Sequence, residues 1–334
     1  MSRRSRRSKR KLNSLFMMLL LTGMLLVTST YAWFSANKEV ALEGINAKVV
    51  AAEGLQISLD GESWASKITI NADTLDAAVE NNYRWPEALT PVSTVGATTS
   101  GNMNLFYGDV NAEGDTLNNA AAETDADTTK YIVFDLYFKN SSSKEVGDDL
   151  QLNAGSSVAI AADGKQNTGL ENSIRSAVVL YENKANMTDD GATIRAIAAG
   201  TPTVCIWEPN YNKHISEVVK NDSRIPADNT VFTTLGLKAT GGGTVTGINA
   251  ANLDTPNENL GEQNTLQTDG RVTGAVNMTN LGGNDMKLAQ NAVMKARVYI
   301  WLEGQDPDCI DTASTGKSID IVIGFTKPAV KDGP

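Results

Sequence analysis

Strict alternation of apolar and polar residues predicts three long strands, at 132–139, 294–303 and 319–326. Successive side chains of a strand point to opposite faces, so one face of each should line a core. The predicted core-facing residues are Ile132, Phe134, Leu136 and Phe138, then Met294, Ala296, Val298, Ile300 and Leu302, and last Ile319, Ile321, Ile323 and Phe325. Tyr299 and Trp301 share the opposite face, where packing beneath an insertion is favoured over contact with a second sheet or a neighbouring subunit.

Shorter apolar segments predict further strands at 45–50, 55–59, 176–181 and 203–207. The dipeptide Asp60-Gly61 after the second of these segments predicts a two-residue hairpin turn, with a return strand that contains Trp64. Helical signals are confined to 73–82 and 216–221.

Many strands, few helices and turn residues between them are typical of an all-β sandwich or barrel, and one apolar face per strand favours antiparallel sheets. Two long stretches, 94–129 and 238–283, are rich in small polar residues and lack apolar periodicity. They are predicted as insertions, either ordered decorations with short edge strands or mobile loops. No linker composition interrupts the remainder, so we expect residues 33–334 to form a single domain.

The N-terminus has the order of a secretory signal. Its first eleven residues carry seven basic and no acidic side chains, and an apolar run from Leu15 to Val27 follows. Small and polar residues then lead to Ala32, so residues 1–32 are predicted to be a signal peptide with an apolar helix. Extended through Phe34, the run approaches the roughly 20 residues of a bilayer span. An uncleaved membrane anchor is therefore the alternative.

Loss of this leader changes the charge of the chain. The leader holds seven of the 29 basic residues and none of the 39 acidic ones, which leaves residues 33–334 with a formal charge of −17. Such a surface repels phosphate backbones, which argues against nucleic-acid binding. We expect contact with a membrane only through residues 1–32, before cleavage.

Candidate catalytic chemistry is sparse. His214 is the only histidine, whereas a zinc-protease motif needs two, and the chain has neither a G-x-S-x-G elbow nor a glycine-rich phosphate loop before a helix. We therefore predict that His214 is a surface residue and that the protein is not an enzyme. The two cysteines, Cys205 and Cys309, form either a disulfide or two separate, partly buried thiols, because sequence does not fix their distance.

Four carboxylates are crowded after the strand 294–303: Glu303, Asp306, Asp308 and Asp311. Calcium takes six to eight oxygen ligands, so it is the one candidate cofactor. The spacing is not that of an EF-hand, and the favoured alternative is a solvated turn whose aspartates cap backbone amides.

The junction Thr28–Val40, TSTYAWFSANKEV, resembles the end of the signal peptide in the camelysin/TasA family, secreted proteins of spore-forming Gram-positive bacteria. The segments Phe134–Ser143 and Arg297–Asp306 resemble two strands of that family. The resemblance implies cleavage by a dedicated signal peptidase between Ala32 and Trp33. It also implies a jelly-roll sandwich that forms extracellular fibres of the biofilm matrix. This chain is longer than the family pattern, and its two insertions have no counterpart in it.

The segment 33–42 follows the predicted cut and carries Phe34, Ala36, Val40 and Leu42 at even spacing. These side chains would line one face of a strand. Together with the resemblance, this predicts a donor strand that joins copies of the chain in a secreted fibre at the cell surface or in the matrix. The expected partners are the chain itself, the signal peptidase and cell-wall or matrix components. A monomeric surface adhesin or binding module is the alternative, and a secreted peptidase is the third hypothesis.

Overall fold

The computed structural model of the chain describes residues 17–18, 44–51, 54–78, 83–110, 116–125, 128–141, 148–152, 155–211, 213–221, 253–254, 265–266, 272–273, 287–310, 313 and 318–326. Within these ranges the fold is mostly β, which confirms the predicted class. None of the helices in these ranges has the length and apolar character to cross a membrane.

The strands of the described residues are β1 (Gly44–Ala51), β2 (Leu55–Ser58), β3 (Lys67–Ile70), β4 (Pro91–Thr99), β5 (Asn102–Val110), β6 (Thr116–Glu123), β7 (Ile132–Asn140), β8 (Asp148–Asp149), β9 (Gln151–Leu152), β10 (Ser157–Ile160), β11 (Ile174–Asn186), β12 (Thr203–Trp207), β13 (Leu253–Asp254), β14 (Thr265–Leu266), β15 (Val272–Thr273), β16 (Lys287–Leu288), β17 (Ala292–Glu303) and β18 (Ser318–Thr326). The named helices are short: α1 (Ala72–Ala78), α2 (Leu170–Ser173), α3 (Gly191–Arg195) and α4 (Ser216–Asn221). The helix expected at 216–221 is confirmed, and α1 confirms the helix expected at 73–82 as far as residue 78, since 79–82 lie outside the described residues.

One sheet, the terminal sheet, has the strand order β10-β18-β1-β3, with β9 also paired to β18. Its two central strands come from opposite ends of the described chain and run parallel, from Gly44 beside Ser318 to Ala51 beside Phe325. The other pairs in this sheet are antiparallel.

The second sheet, the central sheet, contains β12, β11, β17, β7 and β2 in antiparallel order. Where β7 begins, β17 exchanges this neighbour for β4, which runs parallel to it at Leu302 and Glu303. From there β4, β5 and β6 continue the sheet, and we call these three strands the meander. The fold is therefore a mixed β structure, because the antiparallel prediction is wrong for the pairs β1–β18 and β17–β4.

The main core lies between the terminal and the central sheets. It contains every core-facing residue predicted from the three alternating segments, and all of them are buried. The rings of Phe138 and Phe325 meet edge to face across the two sheets, with their centroids 4.7 Å apart. The inward faces of β7, β17 and β18 were thus correctly predicted.

The opposite face of the central sheet is buried as well. Tyr299 and Trp301 of β17 lie there with Val92, Met103 and Leu105 of the meander. This confirms that the two aromatic residues pack beneath an insertion. The stretch 94–129 therefore contains ordered strands, whereas most of 238–283 lies outside the described residues.

The predicted two-residue hairpin at Asp60-Gly61 is wrong. Ile57 and Ala65 form a single bridge, with N–O distances of 2.8 and 2.9 Å, and β3 then crosses to the terminal sheet to pair with β1. The wider loop forms because its side chains bind its own amides. Ser58 Oγ accepts from Gly61 N at 2.8 Å. Asp60 Oδ1 accepts from the backbone amides of Glu62 and Ser63.

In the leader, Met17 and Met18 are described; they are helical and exposed. The predicted cleavage site, Ala32 and Trp33, and the predicted donor residues Phe34, Ala36, Val40 and Leu42 lie outside the described residues.

Candidate functional site

Three of the four carboxylates singled out in the sequence lie in a buried turn at the end of β17. We call residues 303–310 the acidic turn; it begins at the last residue of β17. The side chains of Glu303, Asp306 and Asp308 are at most 2% exposed. The expectation of a solvated turn is therefore wrong, since neighbouring segments cover it. Gly169, with φ of +88°, approaches so closely that a Cβ there would overlap the carbonyl oxygen of Asp308.

A buried cation occupies the centre of this region. Arg175 lies on β11 opposite Trp301 and has no exposed surface. Its Nη2 donates to Glu208 Oε1 at 2.8 Å and to Asp306 Oδ2, and its Nη1 donates to the carbonyl of Asn172 at 2.8 Å. Burial alone would lower the pKa of Arg175, but the surrounding carboxylates outweigh burial and raise it. Arg175 therefore stays charged and ties β11 to the acidic turn.

Glu303 accepts hydrogen bonds from two neutral donors. Its Oε2 accepts from Trp301 Nε1 at 3.0 Å, and its Oε1 accepts from Gln305 N at 2.9 Å. Burial raises the pKa of Glu303 to about 7, although Arg175 offsets part of that effect. A carboxyl group in such a site holds a proton near neutral pH.

Asp308 fixes a second segment to the turn. Its Oδ2 lies 2.7 Å from His214 Nδ1, and its Oδ1 accepts from Ile215 N at 2.8 Å. The prediction that His214 is a surface residue is wrong, since its side chain is only 8% exposed. Burial raises the pKa of Asp308, while its bonds to His214 and Ile215 oppose that rise. The pair fastens the segment before α4 to the end of β17.

The three described carboxylates are not arranged as a calcium site. The structure does bring Glu303, Asp306 and Asp308 together, but their oxygens bind Trp301, Arg175, His214 and backbone amides. No set of three or more metal-ligating side chains is arranged around a common point in the described ranges. Asp311 lies outside them. The amide-capping part of the alternative is confirmed, because Asp306 Oδ1 accepts from Asp308 N at 2.7 Å.

The two cysteines are both buried thiols in the main core. Of the two hypotheses that the sequence left open, this structure has separate thiols and not the disulfide. Burial, together with nearby carboxylates, raises the pKa of Cys309 well above its ordinary value. A thiol of this kind is unreactive.

Sequence reasoning missed a second charged network, which lies between the central sheet and the meander. Arg297 donates to Asp135 on the adjacent β7 at 2.8 Å and to Asp125 at 3.0 Å. Tyr299 donates to Asp125 at 2.7 Å and accepts from Met103 N at 2.9 Å. Lys295 completes the network, 2.9 Å from Asp135.

A signal for this network was present in the sequence. The alternation that placed apolar residues on one face also placed Asp135 on the other face of β7, and Lys295 and Arg297 on the other face of β17. Charges of both signs beside the aromatic residues Tyr299 and Trp301 indicate a buried ion-pair network rather than a solvated face.

Both networks hold chain segments together.

Comparisons of the chain with protein-family models, with curated proteins and with solved structures find no match.

Proposed function

We propose that the chain is an exported structural protein of the bacterial cell surface or biofilm matrix and that its copies assemble into fibres. The observation that carries the proposal is the order of three segments: a basic and apolar leader, the alternating segment 33–42, and then β1, which begins at Gly44. The resemblance of the leader junction to the camelysin/TasA family supports the same function. The jelly-roll topology, the leader helix and the cut after Ala32 are parts of this proposal.

The position of β1 supports a role for the preceding segment outside its own sheet. β18 and β3 flank β1, so β1 is an inner strand. The segment 33–42 precedes this strand in the sequence, and we propose that it extends away from β1. In a neighbouring copy it would add to a sheet edge, where backbone groups lack strand partners.

Apolar burial would contribute to such a contact. Burial of two or three large apolar side chains contributes roughly 1.5–3 kcal/mol each. The candidates are Phe34, Val40 and Leu42. Because donor and acceptor are different surfaces, the contact is head-to-tail and need not close, so it produces a filament.

We propose no catalytic role. The single histidine, His214, is held by Asp308 and fastens the segment before α4, which supports a structural use for this side chain. Purified protein should not degrade casein, with or without a chelator. Chelator-sensitive degradation by homogeneous protein would favour the peptidase hypothesis.

The leader is tested by the intact mass of protein from the growth medium. We expect a chain that begins at Trp33. A mass that includes residues 1–32 would indicate a membrane anchor.

Assembly is tested with two forms of the protein, beginning at Trp33 and at Glu43. The shorter form keeps the whole of β1. By electron microscopy and size-exclusion chromatography, the longer form should form fibres and the shorter one should remain a folded monomer. Fibres from the shorter form would contradict strand donation. A monomeric longer form would favour the adhesin alternative.

A matched pair of substitutions tests the face of the donor strand. Val40→Asp places a charge on the predicted apolar face and should abolish fibres. Ala41→Asp places the same charge on the opposite face and should leave them intact. Equal behaviour of the two variants would contradict a docked strand.

A further inference from the structure

The strand pairing between the meander and β17 is very short. The parallel pairing of β17 with β4 covers only Leu302 beside Pro91 and Glu303 beside Val92. Directly after it, Gly304 N donates to the carbonyl of Val92 at 3.0 Å. Glu303 therefore lies at the root of the meander, and its side chain points into the protein, where it has no exposed surface.

The charges around Glu303 are unbalanced. The titratable and charged groups near it are Arg175 of β11, Glu208 after β12, and Asp306, Asp308 and Cys309 of the acidic turn. The single cation, Arg175, already donates to Glu208 and Asp306. An ionised Glu303 would be a third negative charge beside Arg175, which favours a neutral Glu303 carboxyl group in this dry site.

We propose that ionisation of Glu303 loosens the contact between the acidic turn and β4, so that the attachment of the meander weakens as the pH rises from acidic to neutral. The ionised carboxylate requires water. Val92 and Ser93 of β4 have no exposed surface, so separation of the turn and β4 would admit water to Glu303. The raised pKa of Glu303, about 7, places this change in the range between mildly acidic and neutral conditions.

The Trp301 indole provides a direct probe, because its Nε1 donates to Glu303 Oε2. The protein covering residues 33–334 is labelled with ¹⁵N in its tryptophan indoles, and the Trp301 resonance is assigned by its loss in Trp301→Phe. We expect this resonance to shift with pH, with a midpoint near 7, and to be constant in Glu303→Gln. A resonance that does not titrate between pH 5 and 9 would overturn the proposal.

The loosening itself is measured by hydrogen exchange in a peptide that covers residues 91–94, as the ratio between unaltered protein and Glu303→Gln at each pH. Because the two proteins are compared at the same pH, the intrinsic pH dependence of amide exchange cancels in the ratio. Exchange in the unaltered protein should rise relative to the variant by up to about tenfold per pH unit between pH 4.5 and 7, and then level off. Glu217→Gln, an exposed substitution on α4, should behave as the unaltered protein.

Two outcomes of the hydrogen-exchange measurement would contradict the proposal that ionisation of Glu303 loosens only the contact between the acidic turn and β4. One is a ratio that stays constant with pH. The other is an equal rise in β7 and β18, which would mean that the whole sandwich is destabilised rather than the root of the meander.

Discussion

Arg175 is a fully buried cation whose loss would leave two carboxylates without their main partner. Replacing Arg175 by Met removes the charge but keeps the length of the side chain. Because Glu208 and Asp306 would stay buried and uncompensated, we expect the free energy of unfolding to fall by about 3–5 kcal/mol. Equilibrium unfolding in urea measures this change.

Two comparisons make this measurement specific. Arg195→Met removes a cation whose carboxylate partner, Glu62, is 60% exposed and which also donates to the carbonyl of Asp60, and its effect should be about 1–2 kcal/mol. Adding Glu208→Gln and Asp306→Asn to Arg175→Met should restore part of the lost stability. If these two substitutions reduce stability further, uncompensated charge is not the cause of the loss.

Glu303 gives the stability of the protein a defined dependence on pH. Its pKa is about 7 in the folded protein, against an ordinary value of 4.5, so the folded state binds more protons between these two pH values. The free energy of unfolding should therefore fall as the pH rises through this window, by roughly 3 kcal/mol in all, and should be level above pH 7.

The Glu303 contribution is isolated by the difference between unaltered protein and Glu303→Gln in urea unfolding at several pH values. Subtraction removes the other titrating groups, which both proteins share. A difference that does not change between pH 4.5 and 7 would show that Glu303 is ionised throughout.

Among the elements, the meander depends on polar contacts as well as apolar packing. Burial raises the pKa of Tyr299 well above its ordinary value, so the hydroxyl keeps its proton and donates to Asp125. Tyr299→Phe removes the partner of Met103 N and one partner of Asp125. We expect a loss of about 1–3 kcal/mol, because a buried donor is left unsatisfied.

Hydrogen exchange should show where that loss falls, with the largest increase in β4 and β5. Tyr107→Phe is the matched control, since it removes a hydroxyl from a partly buried ring of the same meander that packs against Lys130. Its effect should stay within about 0.5 kcal/mol. Equal effects of the two substitutions would mean that the Tyr299 hydroxyl has no special role.

The strands that were predicted correctly are those in which apolar and polar residues alternate, so that the buried face can be identified from the sequence of the strand alone. β7, β17 and β18 each carry a continuous apolar face, so period two was enough to identify the core residues. The meander strands consist largely of Thr, Asn, Ala and Gly. Val92, Met103 and Leu105 of β4 and β5 are buried by packing with Tyr299 and Trp301. That burial depends on contacts between distant segments, which local periodicity does not contain.

The turns also include one whose type can be identified from the local sequence and one that depends on a distant contact. Ser100-Gly101 connects β4 and β5 with positive φ at both residues, 52° and 85°, as a tight two-residue hairpin requires. The dipeptide was a usable signal in the sequence. Asp60-Gly61 looked equally suitable, but Gly61 lies against Ile194 of α3, where a Cβ would be 2.8 Å from Cγ2. The prediction of the candidate site was incomplete because it depended on distant contacts. Sequence spacing did not reveal that Arg175 and His214 reach the acidic turn.

At the scale of the whole molecule, the terminal sheet depends on β18. This strand pairs with β1, β9 and β10. Removal of residues 318–334 deletes it and leaves the inner faces of β1 and β7 uncovered. We expect loss of cooperative unfolding in urea and of the near-ultraviolet circular dichroism.

A shorter deletion serves as the control for that experiment. Removal of 327–334 spares β18 and should keep the native signal. Cooperative unfolding of the chain without 318–334 would show that the terminal sheet contributes little to the stability of the sandwich.

The parallel pair of β1 and β18 also determines when the protein can fold. Asn46 and Asp320, which are hydrogen-bonded to each other, are 274 positions apart in the chain. A ribosome makes β1 long before β18, so the terminal sheet cannot close until β18 has been made. Pairing over such a distance is slow as well. A chain that must cross a membrane unfolded would therefore have time to do so before its first and last strands meet.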